Sequence, residues 1–89
     1  MTLQQLEYFV SAAHNLNFSK TAEMFFVSQS AITQQIRSLE KELKLDLFIR
    51  KNNRISLTDS GQVFMREAEQ ILAKVSDSIE RVHSVQRGQ

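Results

Sequence analysis

Proline is absent from this 89-residue chain and glycine occurs only at positions 61 and 88. The two residues that most readily end helices are nearly missing, so the chain reads as mostly helical and its boundaries must come from periodicity and capping residues. Leu3, Leu6, Phe9, Val10, Ala13 and Leu16 recur at three- and four-residue steps. That spacing predicts a helix from about Thr2 to Leu16 with these residues on one face and Thr2 as N-cap. Ser19 is the expected N-cap of a second helix, about two turns long, that carries Ala22, Phe25 and Phe26 inward. Val27 and Ser28 interrupt it, and Ser28 caps a third helix whose apolar positions are Ile32, Ile36, Leu39 and Leu43.

After Leu43 the pattern changes to Leu47, Phe48 and Ile49, a polar stretch from Arg50 to Arg54, and the alternation Ile55, Ser56, Leu57. This predicts a hairpin turning at Asn52 and Asn53, since asparagine is among the few residues other than glycine that tolerate positive φ. A two-stranded hairpin is marginal alone, so its apolar side chains should dock on the helices. Thr58 is the expected N-cap of a last helix reaching about Arg87, with Asp59 in its first turn where a negative charge suits the dipole. Such a helix is roughly 45 Å long, more than a domain of this size can cover. Its first half, through about Leu72, should lie on the domain's own core. Ile71, Leu72, Val75, Ile79 and Val82, with steps of three and four, are the expected contacts with a second copy of the same helix.

The order of parts gives a mainly α fold: a winged helix-turn-helix, made of three helices plus a β-hairpin wing, followed by a long linker helix. The expected division is residues 1–58 for the winged unit and 59–89 for a linker or dimerisation helix. Composition agrees with one ordinary globular domain, at 42% hydrophobic and 24% charged residues. Without cysteine there is no disulfide framework, thiolate metal site or cysteine nucleophile. The longest apolar runs, such as Met24 to Val27, fall far short of the roughly 20 residues that span a bilayer. Met1 to Gln5 carries no secretory pattern, so the expectation is a cytoplasmic protein with no membrane partner.

Net charge is only +1, but its distribution is uneven. Six basic residues (Arg37, Lys41, Lys44, Arg50, Lys51, Arg54) and three acidic ones fall between Ser28 and Leu57. Arg50, Lys51 and Arg54 enclose only Asn52 and Asn53. A charge run of this kind is more often a solvated turn than a site. On the third helix, Ser30, Thr33, Gln34, Arg37 and Lys41 share a sector of roughly 100°, opposite the apolar positions. Hydroxyl, amide and guanidinium groups are those that read base edges in a major groove. Gln29 joins them in the first turn. A polar stripe is also what any soluble helix shows, and Ser19 and Ser28 serve first as caps; the helix-turn-helix followed by a basic-tipped hairpin is what turns the stripe into a candidate DNA-reading surface.

Leu6, Phe9, Phe18, Ala22, Val27-Ser28-Gln29, Ile36, Leu39-Glu40, Leu45, Leu47-Phe48, Arg50, Leu57-Thr58 and Gly61 together resemble the N-terminal domain of LysR-type transcriptional regulators over about Leu3 to Gly61. The resemblance implies sequence-specific binding to double-stranded promoter DNA, and a linker helix that forms a homodimer. It also implies tetramers in full-length proteins, and a small-molecule effector domain that this chain lacks. Carried over by position, the groove-reading set is Gln29, Ser30, Thr33, Gln34 and Arg37, with Ser28 beside it, and the wing contacts are Arg50, Lys51, Asn52, Asn53 and Arg54. Ser30 stands where the family often has proline, Gln34 where it often has arginine, and Lys44 where a helix-ending glycine is common. Base preference therefore does not carry over.

Catalysis has little support. His14 and His83 are 69 positions apart, and Glu40 and Glu42, two apart on a helix, point about 200° away from each other. Neither an enzyme, a cofactor nor a metal site is expected. The competing reading is a protein-binding helical module that works through the 59–87 helix.

Overall fold

A computed structural model describes residues 1–88; Gln89, the last residue of the expected 59–89 segment, lies outside the described residues. The elements run α1 (Leu3–Asn15), α2 (Phe18–Phe25), α3 (Gln29–Leu43), β1 (Phe48–Lys51), β2 (Arg54–Leu57) and α4 (Asp59–Gln86).

Each helix begins where a side chain can take up an orphan backbone N–H. At α1 the Thr2 hydroxyl accepts from Gln5 N at 3.0 Å, and the Gln5 side chain accepts from Thr2 N in return, a reciprocal capping box. Ser28 caps α3 and Thr58 caps α4, as expected. The start of α2 differs: Asn17, not Ser19, is the N-cap, its Oδ1 accepting from Lys20 N at 2.9 Å. The earlier start takes Phe18 into the helix and turns its ring into the core, edge-on to Phe48 at 5.3 Å. Asparagine caps as well as serine does, so packing decides between them.

Phe26 also departs from expectation. It is 95% exposed, not inward. It sits one residue past the last turn of α2 at φ 58°, where the left-handed backbone breaks the helical period and swings the side chain out. Leu16 and Lys44 end α1 and α3 in the same conformation, at φ 50° and 60°. Leu3 and Leu16, at the two ends of the α1 stripe, are exposed, while Leu6, Phe9 and Ala13 between them are buried.

The core is where α1 crosses the other three helices. Phe9 is fully buried between Phe48 and Phe64, and Ile32, Ile36 and Leu39 of α3 pack into the same cluster. The hairpin docks through Leu47 and Phe48, with Ile55 and Leu57 partly buried against the helices; Ile49 points the other way and is exposed. Gly61, in the first turn of α4, is needed for this docking. A Cβ there would lie 2.1 Å from the Leu47 carbonyl oxygen, a backbone atom that cannot move aside.

Along α4, Ala68 is buried and Phe64, Met65 and Leu72 lean on the core, but the helix then runs past it. Ile71 is exposed, Val75 half-buried, Ile79 54% exposed and Val82 69% exposed. Leu72, expected as a contact with a second copy, is thus shared with the chain's own core. Among the described residues no helix is long and apolar enough to cross a membrane.

Candidate nucleic-acid interface

Burial of Ile32, Ile36 and Leu39 fixes the rotation of α3, and so decides which side chains face out. Gln29, Ser30, Gln34 and Arg37 are exposed and Thr33 is half-buried on that outer side. Ser28, although exposed, is engaged as a cap: its Oγ accepts from Ala31 N and lies 3.1 Å from Ser30 Oγ. Gln29 is not free either. Its Oε1 accepts from the Ser19 hydroxyl of α2 at 2.6 Å.

The hairpin pairs Phe48 with Leu57, Ile49 with Ser56, Arg50 with Ile55 and Lys51 with Arg54. Alternation along the strands sorts these pairs onto two faces. Phe48, Leu57, Arg50 and Ile55 share the face toward the helices; Ile49, Ser56, Lys51 and Arg54 alternate onto the other, and at the tip Lys51 and Arg54 border both sides of the hairpin. Asn52 and Asn53 close the turn at φ 52° and 59°, positive at both central residues as a type I′ turn requires. Lys51 and Arg54 stand directly opposite each other, an arrangement of like charges that works against the hairpin. An anionic partner at the tip would turn that repulsion into attraction.

Arg50 is placed differently from its neighbours. Its guanidinium lies 3.1 Å from Glu40 Oε1 and 5.7 Å from the centre of the Phe18 ring. Glu40 is only 7% exposed, and its other oxygen accepts from Leu47 N at 2.7 Å and Phe48 N at 3.2 Å. One carboxylate of α3 therefore ties down the start of β1 and the arginine two residues into it, which sets the wing at a fixed distance from the helix. In the sequence Glu40 is one acid among several on a helix. What would have marked it is its position on the same face as Ile36, where a charge needs a partner.

Between α3 and the wing lies an open hollow of about 560 Å³ lined by Phe18, Gln29, Thr33, Arg37, Ile55 and the whole stretch from Arg50 to Arg54. Residues 13 or more positions apart are thus brought to one concave surface. Ser30 and Gln34 face a second hollow, shared with Gln29 and Thr33 along the outer side of α3. Among the described residues, Arg37, Lys51 and Arg54 make no ion pair within the chain, while Arg50 does. Among the described residues, no acidic side chain lines either hollow.

Residues 3–62 match the family described as "Bacterial regulatory helix-turn-helix protein, lysR family". The chain is 40% identical over 88 residues to the probable RuBisCO transcriptional regulator of Phaeodactylum tricornutum, covering 99% of the chain and 29% of that protein. It is 41% identical over 88 residues to the HTH-type transcriptional regulator CitR of Bacillus subtilis, covering 99% and 30%. The chain therefore spans less than a third of the length of these relatives. Its fold superposes on the crystal structure of a CbnR_DBD–DNA complex with a TM-score of 0.91 and 34% sequence identity, over 96% of this chain and 98% of that one. With the winged architecture, a family match over two thirds of its length and relatives of this kind, the chain belongs to the lysR family of bacterial regulatory helix-turn-helix proteins.

Proposed function

We propose that the chain binds double-stranded promoter DNA in a sequence-specific way, as the DNA-binding part of a longer transcription regulator. Residues 1–58 form the reading unit and 59–89 the linker and dimerisation helix. The observation that carries the reading is the single groove shared by the outer side of α3 and the wing tip, lined by Gln29, Thr33, Arg37 and Arg50 to Arg54 with no acidic side chain among them. In this reading α3 enters the major groove, where Arg37 and Gln34 contact base edges, and Lys51, Arg54 and the two asparagines lie on backbone or minor groove. Support comes from the likeness to a domain crystallised with DNA and from relatives described as transcriptional regulators.

Exposure of Ile71, Ile79 and Val82 along the projecting part of α4 supports a homodimer through that helix, with Leu72 and Val75 at its edge. A two-fold dimer reads two half-sites, so pseudo-palindromic sites are favoured. The effector domain and any tetramer belong to the rest of the longer protein, which acts beside the chromosome in the cytoplasm. The proposal gives the chain no catalytic step.

Selection of bound duplexes from a random pool, followed by titration at low salt, tests the reading. Arg37→Ala should weaken binding by about 1–3 kcal/mol and relax preference at one base pair. Equal binding by wild type and variant would remove Arg37 from the interface, and absence of any selected site would remove the function.

A further inference from the structure

Ser19 is the second residue of α2, and its hydroxyl donates to Gln29 Oε1 across the helix-turn-helix at 2.6 Å. That hydroxyl is not spent on capping, because Asn17 already takes the Lys20 N–H. Gln29 is exposed and lines both hollows, the one facing the wing and the one along the outer side of α3. It is therefore an outward-facing side chain held at one end. A glutamine carboxamide has a carbonyl end that accepts and an amino end that donates. With Oε1 drawn back toward α2, the amino group is the end offered to an outside partner, and the side chain has fewer rotamers to lose on binding.

We propose that Ser19 is a positioning residue for base recognition: it holds Gln29 with its amino group outward, so that Gln29 takes guanine, whose major-groove edge presents the acceptors N7 and O6. The usual two-bond pairing of glutamine with adenine needs Oε1 to turn its second lone pair to adenine N6 while it still accepts from Ser19, whereas guanine asks only for the free amino end, so the tether favours guanine. The inference rests on the DNA-binding reading and adds the chemistry of one base contact to it.

The test permutes every base pair of a selected duplex in competition titrations with wild type and with Gln29→Ala, Ser19→Ala, Ser19→Thr and Ser19→Val. Thermal melts confirm that each variant folds. Gln29→Ala should flatten a guanine preference at one pair by roughly tenfold. Ser19→Ala and Ser19→Val should lose most of that same preference while leaving the pairs read by Arg37 unchanged. Ser19→Thr, which keeps the hydroxyl and has the shape of valine, should restore it. In a Gln29→Ala background, Ser19→Val should have no further effect on preference. The proposal is overturned if adenine is preferred at the pair that depends on Gln29, if Ser19→Val reads DNA as wild type does, or if its effect persists without Gln29. Wild type that selects no site at all overturns the DNA-binding reading and this proposal together, whereas selection that depends on Arg37 but not on Ser19 overturns this proposal alone.

Discussion

Lys44 ends α3 at φ 60°, a conformation that costs a residue with a Cβ roughly 1–2 kcal/mol. Its N–H bonds to the Glu40 and Lys41 carbonyls, so the backbone geometry is well satisfied and only the side chain is strained. Lys44→Gly should therefore stabilise the chain by about 1 kcal/mol, a rise in Tm of roughly 4–8 °C for a domain of this size. Calorimetry checks this, and an unchanged or lower Tm would place the strain elsewhere. Glu40 carries the opposite sign. Glu40→Ala leaves the Leu47 and Phe48 N–H groups without an acceptor and Arg50 without its ion-pair partner. At about 1–3 kcal/mol for each of the two buried donors left unmade, a loss of roughly 2–6 kcal/mol is expected in denaturant titrations. A loss below about 1 kcal/mol would mean that water replaces the carboxylate.

At the scale of elements, the wing and α3 divide the labour that a duplex demands. α3 offers different groups at each turn, whereas the wing offers two cations at a tip that has no other use for them. Lys51→Ala with Arg54→Ala should lower affinity evenly across sequences and reduce the slope of log K against log salt by about 2. Anisotropy titrations at several salt concentrations read this directly, and an unchanged slope counts against phosphate contact by the wing. Element types and most caps were legible in the sequence because capping and periodicity are local: Thr2, Ser28 and Thr58 stand where expected, and Asn52-Asn53 turn the hairpin. Ser19 and Phe26 misled for a shared reason. Each lies at an end of α2, where a ring docking on Phe48 and a left-handed exit set the boundary.

At the scale of the whole molecule, the extents of 55 × 27 × 20 Å reflect one helix outrunning its domain. α4 has 28 residues, and among the described residues none of its apolar side chains past Leu72 joins the core, with Ile79 and Val82 mostly exposed. Ile79→Glu with Val82→Glu should leave the Tm of the winged part nearly unchanged, since neither residue joins the core, while shifting sedimentation toward monomer. Binding to a duplex with two half-sites should then fall toward that for a single half-site, because the two contacts no longer share one effective concentration. Wild type that sediments as a monomer at high micromolar concentration would remove this interface.

The mostly helical architecture, the position of the hairpin and the polar outer stripe of α3 follow from the order of residues alone, because each depends on neighbours within a few positions. The family resemblance points to the same parts. The union of Gln29, Thr33 and Arg37 with Arg50 to Arg54 in one groove is different. So are the withdrawal of Arg50 onto Glu40 and the tether from Ser19 to Gln29. These join side chains ten or more positions apart, and only the packing of α2, α3 and the hairpin around one core brings such groups within bonding distance.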